Sequence, residues 1–254
     1  MSLFDLNGRV AVVTGGNGGI GFGMAQGLAA AGAAVVVAAR NPEKSAAAVA
    51  ALEASGAQSA FIALDVADPA SCRDLIARTV ERFGRLDILV NNAGMSIRKP
   101  PQDYAIEEWR SVIDTNLTGA FACAQAAYPV MKGQGGGKIV NIGSMMAIFG
   151  AAYAAAYSAS KGGIVQLTKS LANAWAADNI QVNAVLPGWI DTELTRDARA
   201  QVPGLNERIL RRTPAGRWGT PADMRGIAVF LASSASDFVT GAAIPVDGGY
   251  AAEF

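Results

Sequence analysis

The stretch Arg9-Val10-Ala11-Val12-Val13-Thr14-Gly15-Gly16-Asn17-Gly18-Gly19-Ile20-Gly21 decides the fold. Arg9 to Thr14 reads as a strand, and within it Val10 to Val13 form an unbroken apolar run, the pattern of a strand buried on both faces. Glycines dominate the next segment, a helical pattern follows to about Ala31, and Ala34 to Ala39 reads as a second strand. Strand, glycine loop, helix and strand make a βαβ unit. In that setting glycines let backbone amides approach a phosphate, and the helix N-terminus supplies partial positive charge. A glycine-rich turn alone is weak evidence. Inside a complete βαβ unit it reads as a dinucleotide site, with Gly15, Asn17, Gly19, Ile20 and Gly21 as candidate contacts.

The end of the second strand discriminates between dinucleotides. A carboxylate there bonds the ribose 2′-hydroxyl of NAD, whereas an arginine accommodates a 2′-phosphate. Here the strand closes on Ala38, Ala39 and Arg40, and no carboxylate appears before Glu43. Arg40 therefore points to NADP(H), with NAD(H) as the alternative if Arg40 only caps a loop or stacks on adenine.

The alternation continues along the chain. Phe61 to Leu64 is a short strand ending at Asp65 and Val66, where a carboxylate can meet the adenine amino group. Asp68 caps a helix from Pro69 to about Phe83. Leu86 to Val90 runs into Asn91-Asn92-Ala93-Gly94, whose small residues permit close approach of a ligand, although a plain turn also uses Asn and Gly. Tyr104 to Met131 is a long helical stretch interrupted near Asn116, which is either a kink-forming hydrogen bonder or the holder of a functional carbonyl. Lys138 to Ile142 is the next strand, with Ser144 just beyond it.

The segment Tyr153 to Ala177 has strong helix formers and no proline, so it reads as a long helix. Tyr157 and Lys161 lie one turn apart on it and face the same way. A cation about 5 Å from the phenol, at an effective dielectric of about 20, contributes roughly 3 kcal/mol, or about two pKa units toward neutrality. Tyr157 is thereby expected to become a proton donor and acceptor at physiological pH. The alternative is a half-buried aromatic beside a surface charge. In an open parallel sheet the ligand crevice lies outside the carboxyl ends of the strands. Gly15 to Gly21, Asp65, Asn92 to Gly94, Ser144 and Pro187-Gly188 all follow strands in this reading, and the helix of Tyr157 starts from the same rim. That convergence favours the chemical reading.

Composition removes other classes. The chain has 254 residues, 51% hydrophobic and 17% charged, enough for a large core in a single domain spanning 1–254. Lysine plus arginine and aspartate plus glutamate balance at 21 each, so nothing favours nucleic acid or an anionic membrane. With no histidine, Ser-His-Asp hydrolysis and histidine-ligated zinc are excluded by inventory, and no metal site is expected. Cys72 and Cys123 are the only cysteines, which fits a reducing cytoplasm. The N-terminus lacks a basic region before an apolar stretch, and the longest apolar run, Leu28 to Ala39, is too short to span a bilayer.

Thr14-Gly15 to Gly21, Asn91 to Gly94, Asn116, Ser144, Tyr157-Ser158-Ala159-Ser160-Lys161 and Pro187-Gly188, in this order, resemble the short-chain dehydrogenase/reductase family over nearly the whole chain. The resemblance implies a three-layer, doubly wound α/β Rossmann fold with a seven-stranded parallel sheet. It implies a tetrad: Tyr157 passes a proton to or from the substrate oxygen, Ser144 hydrogen-bonds that oxygen, Lys161 binds the nicotinamide ribose and acidifies the phenol, and Asn116 anchors a water. Tyr157, Lys161, Pro187, Gly188, Ile190 and Thr192 join the expected cofactor contacts. A homotetramer is also implied, with Val246-Asp247-Gly248-Gly249 near a subunit interface. A dinucleotide-sensing protein of the same fold would not need Ser144, Tyr157 and Lys161 intact.

The substrate is a small-molecule secondary alcohol or ketone in this reading. Met95, Ser96, Ile97, Met145, Met146, Ala154 and Trp189 are candidates to line its pocket, with Ser144, Met146, Tyr157 and Trp189 as direct contacts and about 190–212 as a lid. Met and Trp in these positions serve a core equally well. Arg98, Lys99, Arg196 and Arg199 could hold a substrate carboxylate or stand as solvated charges. Arg212 to Gly219 and Phe230 to Asp237 are similar to the sugar-acid branch, gluconate 5-dehydrogenases and 2-deoxy-gluconate dehydrogenases included. The same pattern occurs in aldose 1-dehydrogenases and broad ketoreductases.

Overall fold

Consecutive apolar residues in a strand require cover on both sides, and β1 (Val10–Thr14) receives it: Ala11 and Val13 face one core while Val12 faces another. The computed structural model describes residues 2–253. The other strands are β2 (Ala34–Ala39), β3 (Ser59–Ala63), β4 (Ile88–Asn91), β5 (Gly137–Ile142), β6 (Ile180–Pro187) and β7 (Ala243–Val246). All pair in parallel, in the order β3-β2-β1-β4-β5-β6-β7. The helices are α1 (Gly19–Ala30), α2 (Pro42–Ala54), α3 (Pro69–Phe83), α4 (Ile106–Ile113), α5 (Gly119–Gly133), α6 (Ala155–Trp175), α7 (Glu193–Gln201), α8 (Leu205–Arg212) and α9 (Arg225–Ala232). Met24 and Leu28 of α1, Leu52 of α2 and Leu231 of α9 cover one face of the sheet. Leu75 of α3, Met131 of α5 and Leu171 of α6 cover the other, giving three layers.

Several boundaries shift by one or two residues from the sequence expectation, those of β3, β4, β5 and α6 among them. β1 begins at Val10, one residue after the expected Arg9, whose side chain pairs with Asp87. The helical stretch expected over Tyr104 to Met131 is broken by a π-turn at Asp114–Thr118, which carries Asn116 and separates α4 from α5. One extra residue in that turn lets the Asn116 side chain leave the helix cylinder for the sheet rim. No helix among the described residues is long and apolar enough to cross a membrane.

Asp87, just before β4, pins the opposite rim. Its carboxylate accepts from Arg9 at 2.8 Å, from Arg85 at 2.6 and 2.7 Å, and from the Val10 amide at 2.9 Å. Burial alone would push its pKa up, but the bonds from Arg85, Arg9 and Val10 outweigh burial and hold the carboxyl below its ordinary range. A depressed carboxyl pKa contributes stability that is present above the unfolded value of about 4 and is lost as pH falls through the lower folded value. We expect Asp87→Ala to lower the unfolding free energy by about 2–4 kcal/mol in urea melts at pH 7. The gap between parent and variant should close in melts taken well below pH 4.

Candidate active site

The strand order reverses between β1 and β4, which opens a crevice outside the carboxyl ends of the strands. Thr14 holds the two sides together. Its hydroxyl accepts the amides of Asn92 and Ala93, both at 3.0 Å, while the Asn92 side chain donates to the carbonyls of Thr14 and Gly15 at 2.9 and 3.2 Å. A cavity of about 750 Å³ occupies the crevice. It runs from Gly15, Asn17, Gly19, Ile20 and Arg40, past Asp65, Val66, Asn92, Ala93 and Gly94, to Ser144, Tyr157 and Lys161. Pro187, Gly188, Trp189, Ile190 and Thr192 form its outer wall. Gly21 stands behind the loop, where a Cβ would meet Asn92 Nδ2 and the Gly15 carbonyl at 2.4 Å, so it lets α1 pack on β1 and does not line the cavity.

Ser144 follows β5, and its Oγ accepts the Met146 amide at 3.1 Å, which caps a short 3-10 turn over Met145–Ala147. Tyr157 lies in the first turn of α6 and Lys161 one turn further on. Lys161 is buried and donates to the Ile142 carbonyl, at the end of β5, at 2.7 Å; its Nζ lies 5.6 Å from the centre of the Tyr157 ring. Asn116 is also buried. Its amide accepts from Met95 N at 2.8 Å and donates to Met95 O at 2.9 Å and Ser160 Oγ at 3.0 Å. Ser144, Tyr157 and Lys161 thus come from a strand end and one helix face and line the same cavity, while Asn116 on the π-turn does not line it and stands behind Gly94.

Electrostatics correct one expectation. Burial pushes the Tyr157 phenol above its ordinary value, and neither the hydrogen bond from Ser144 nor the charge of Arg98 reverses that. The acidification expected from Lys161 is not what the pocket produces, because the lysine is buried too. Burial lowers its own pKa to about 8, and its ammonium donates one bond to the Ile142 carbonyl.

Of the candidate pocket residues, Met95, Ser96, Met145, Met146, Ala154 and Trp189 line the cavity. Ile97 does not, and its carbonyl accepts the Tyr104 hydroxyl. Among the four basic candidates, Lys99 is clamped on Glu108 at 2.6 and 2.8 Å, and Arg199 is paired with Asp191 beside Trp218. Arg196 lines the cavity but also pairs with Asp191, at 3.1 Å. Arg98 lines it and, among the described residues, donates only to the Leu194 carbonyl, at 2.8 Å. Sequence reasoning missed Lys44, which lines the cavity from the first turn of α2. Nothing local marks it, since its partner Glu193 is 149 positions away.

A dinucleotide fits this donor set. A Cβ on Gly94 would stand 3.2 Å from Asn116 Oδ1 and 3.7 Å from Lys161 Nζ, filling the space beside the lysine. Residues 15–251 match the family model described as enoyl-(acyl carrier protein) reductase, a short-chain dehydrogenase model. The chain is 43% identical to a 2-dehydro-3-deoxy-D-gluconate 5-dehydrogenase of Escherichia coli (strain K12) over 99% of both proteins. It is 42% identical to a cis-4-hydroxycyclohexanecarboxylate dehydrogenase of Sinomonas cyclohexanicum, covering 96% of this chain and 97% of that protein. A crystal structure of a gluconate 5-dehydrogenase from Burkholderia cenocepacia J2315, in complex with NADP and tartrate, superposes with a TM-score of 0.94 at 41% identity, covering 99% and 98% of the two chains. The chain belongs to the short-chain dehydrogenase/reductase family. It is an NAD(P)-dependent oxidoreductase that interconverts a secondary alcohol and a ketone.

The buried lysine has a measurable cost. A folded pKa of about 8 lies below the ordinary lysine value, so folding disfavours the charged form. The penalty is full below pH 8, about 3 kcal/mol for this shift, and vanishes as pH rises through the unfolded value. We expect Lys161→Met to raise the melting temperature of the ligand-free protein at pH 7, with the gain shrinking toward pH 10.5, in parallel thermal scans.

Proposed function

We propose that the protein is an NADP(H)-preferring dehydrogenase of a hydroxy acid, of the sugar-acid type, with Asn116, Ser144, Tyr157 and Lys161 as its working residues. The observation that carries this reading is the meeting of Tyr157, Ser144 and Lys161 beside the Gly94 gap. When bound, the nicotinamide supplies the hydride acceptor or donor. Tyr157 holds the proton for the substrate oxygen. With its phenol pushed up by burial it is a proton donor at neutral pH, which suits reduction of a ketone, and alkaline conditions favour oxidation. Ser144 hydrogen-bonds the same oxygen. Lys161 offers its ammonium to the nicotinamide ribose, and gaining that partner raises its pKa from about 8. The Asn116 side chain is spent on Met95 and Ser160, so a water in the relay falls to the main chain of the π-turn.

NADP(H) preference is supported by Arg40, which lines the cavity, forms no ion pair among the described residues and has no carboxylate beside it at the end of β2. Asp65, Val66, Asn92, Ala93, Pro187, Gly188, Ile190 and Thr192 complete the cofactor contacts in this reading. A carboxylate is named in each relative above, in gluconate, in cyclohexanecarboxylate and in the bound tartrate, and Arg98 lines this cavity with no carboxylate partner among the described residues, beside the substrate candidates Ser96 and Met95. Arg98 therefore receives the substrate carboxylate, with Met146 and Trp189 against its carbon chain. Residues 190–212 act as a lid: α7 and α8 pack mainly on a small cluster of their own, formed by Ala198, Leu205 and Ile209 with Trp189, Val202 and Trp218. The exposed Ile106 of α4 and Phe121 of α5 support the homotetramer, and the cysteine usage supports a cytoplasmic setting for this single domain.

Tyr157→Phe should bind NADPH as the parent does and lose about 10³-fold or more in turnover of hydroxy acids or keto acids followed at 340 nm. Retained turnover would remove Tyr157 from the chemistry. Arg98→Gln should raise KM for a keto acid roughly 10- to 100-fold while leaving a neutral diketone nearly unaffected.

A further inference from the structure

Lys44 and Glu193 form an ion pair that the reaction chemistry does not use. Lys44 sits in the first turn of α2, where the Asn41 side chain caps its amide at 2.9 Å. Its ammonium bonds Glu193 Oε2 at 2.7 Å, and Glu193 is the first residue of α7. The lysine lies across the glycine loop: a Cβ on Gly18 would stand 3.0 Å from its Cε and 3.1 Å from its Nζ. Lys44 and Arg40 therefore flank the same end of the cavity, one from α2 and one from the end of β2. The loop is fixed there, since Asn17 donates to Ser45 at 3.1 Å and Ser45 to the Asn41 carbonyl at 2.6 Å.

A phosphate monoester at neutral pH carries a charge of about −1.5 to −2. Arg40 alone leaves it half-neutralised, and Lys44, four residues further on, is a second cation lining the same cavity. We propose that Lys44 is the second cation for the 2′-phosphate of NADP(H), and that Glu193 of the lid competes with that phosphate for it. This rests on the dehydrogenase reading above. Glu193 is 77% exposed and Lys44 40%, so the pair is weakly held and readily exchanged for a phosphate oxygen. Binding of NADP(H) then takes Lys44 from the lid, while NAD(H), with no 2′-phosphate, leaves the Lys44–Glu193 strap in place.

The test is a set of fluorescence titrations with NADPH and NADH on the parent, Lys44→Met, Glu193→Gln and the double variant, with melting temperatures as a folding control. Lys44→Met should weaken NADPH about tenfold and NADH less than twofold. Glu193→Gln should tighten NADPH about two- to fivefold, the strength of an exposed ion pair, and leave NADH unchanged. In the K44M background Glu193→Gln should change nothing, because the competition is gone. Equal weakening of both nucleotides by Lys44→Met would make Lys44 a pyrophosphate contact or a structural residue and overturn the proposal. So would a Glu193→Gln effect that persists without the lysine. A parent that binds neither nucleotide would sink the dehydrogenase reading itself, and this inference with it.

Discussion

The bond from Lys161 Nζ to the Ile142 carbonyl, 2.7 Å long, ties the two halves of the site together. The sheet delivers Ile142 at the end of β5, two residues before Ser144, and α6 delivers Lys161 one turn after Tyr157. If that helix turned on its axis, Lys161 would lose its carbonyl and Tyr157 would leave the crevice in the same movement. The ammonium has no carboxylate partner, so burying it costs stability. An expense of this kind is maintained where structure serves chemistry, since a methionine would pack there more cheaply.

The other device is the π-turn at Asp114–Thr118. Asn116 is a poor residue for a helix interior, but in this turn its amide bonds both main-chain groups of Met95 and reaches Ser160 on α6. One side chain therefore fixes the segment after β4 against the helix that bears Tyr157 and Lys161. With its amide engaged on Met95 and Ser160, the side chain holds geometry.

Features that depend on neighbours in sequence were legible in the chain. Val10 to Val13 announced a strand covered on both faces, Asp68 and Pro69 announced the start of α3, and the asparagine at 116 announced a disturbed helix. Tyr157 and Lys161 were readable because a helix fixes which residues share a face. Features set by burial or by distant contacts were not. Spacing gave the right pair but the wrong sign for the phenol, because Coulomb attraction was counted and the shared desolvation was not. Adjacent Arg98 and Lys99 look alike in sequence; Glu108 captures Lys99 and leaves Arg98 on the cavity. Gly21, read as a phosphate contact, serves instead the packing of α1 on β1.

The charges around the crevice follow one rule. Asp191 neutralises Arg196 and Arg199 on the lid, and Glu193 neutralises Lys44 beside the glycine loop. Arg40 and Arg98 are left without carboxylate partners, at opposite ends of the cavity. An exposed ion pair contributes little to stability, so these paired cations of α7 matter little for holding the fold. With Lys161 beside Tyr157 as a third unpaired cation, the cavity favours a ligand set whose anionic groups reach Arg40 and Arg98 while the reacting carbon lies near Tyr157. That spacing is what a phosphorylated ribose at one end and a carboxylate at the other would present, which is why the two unpaired arginines are the most informative charges in the molecule.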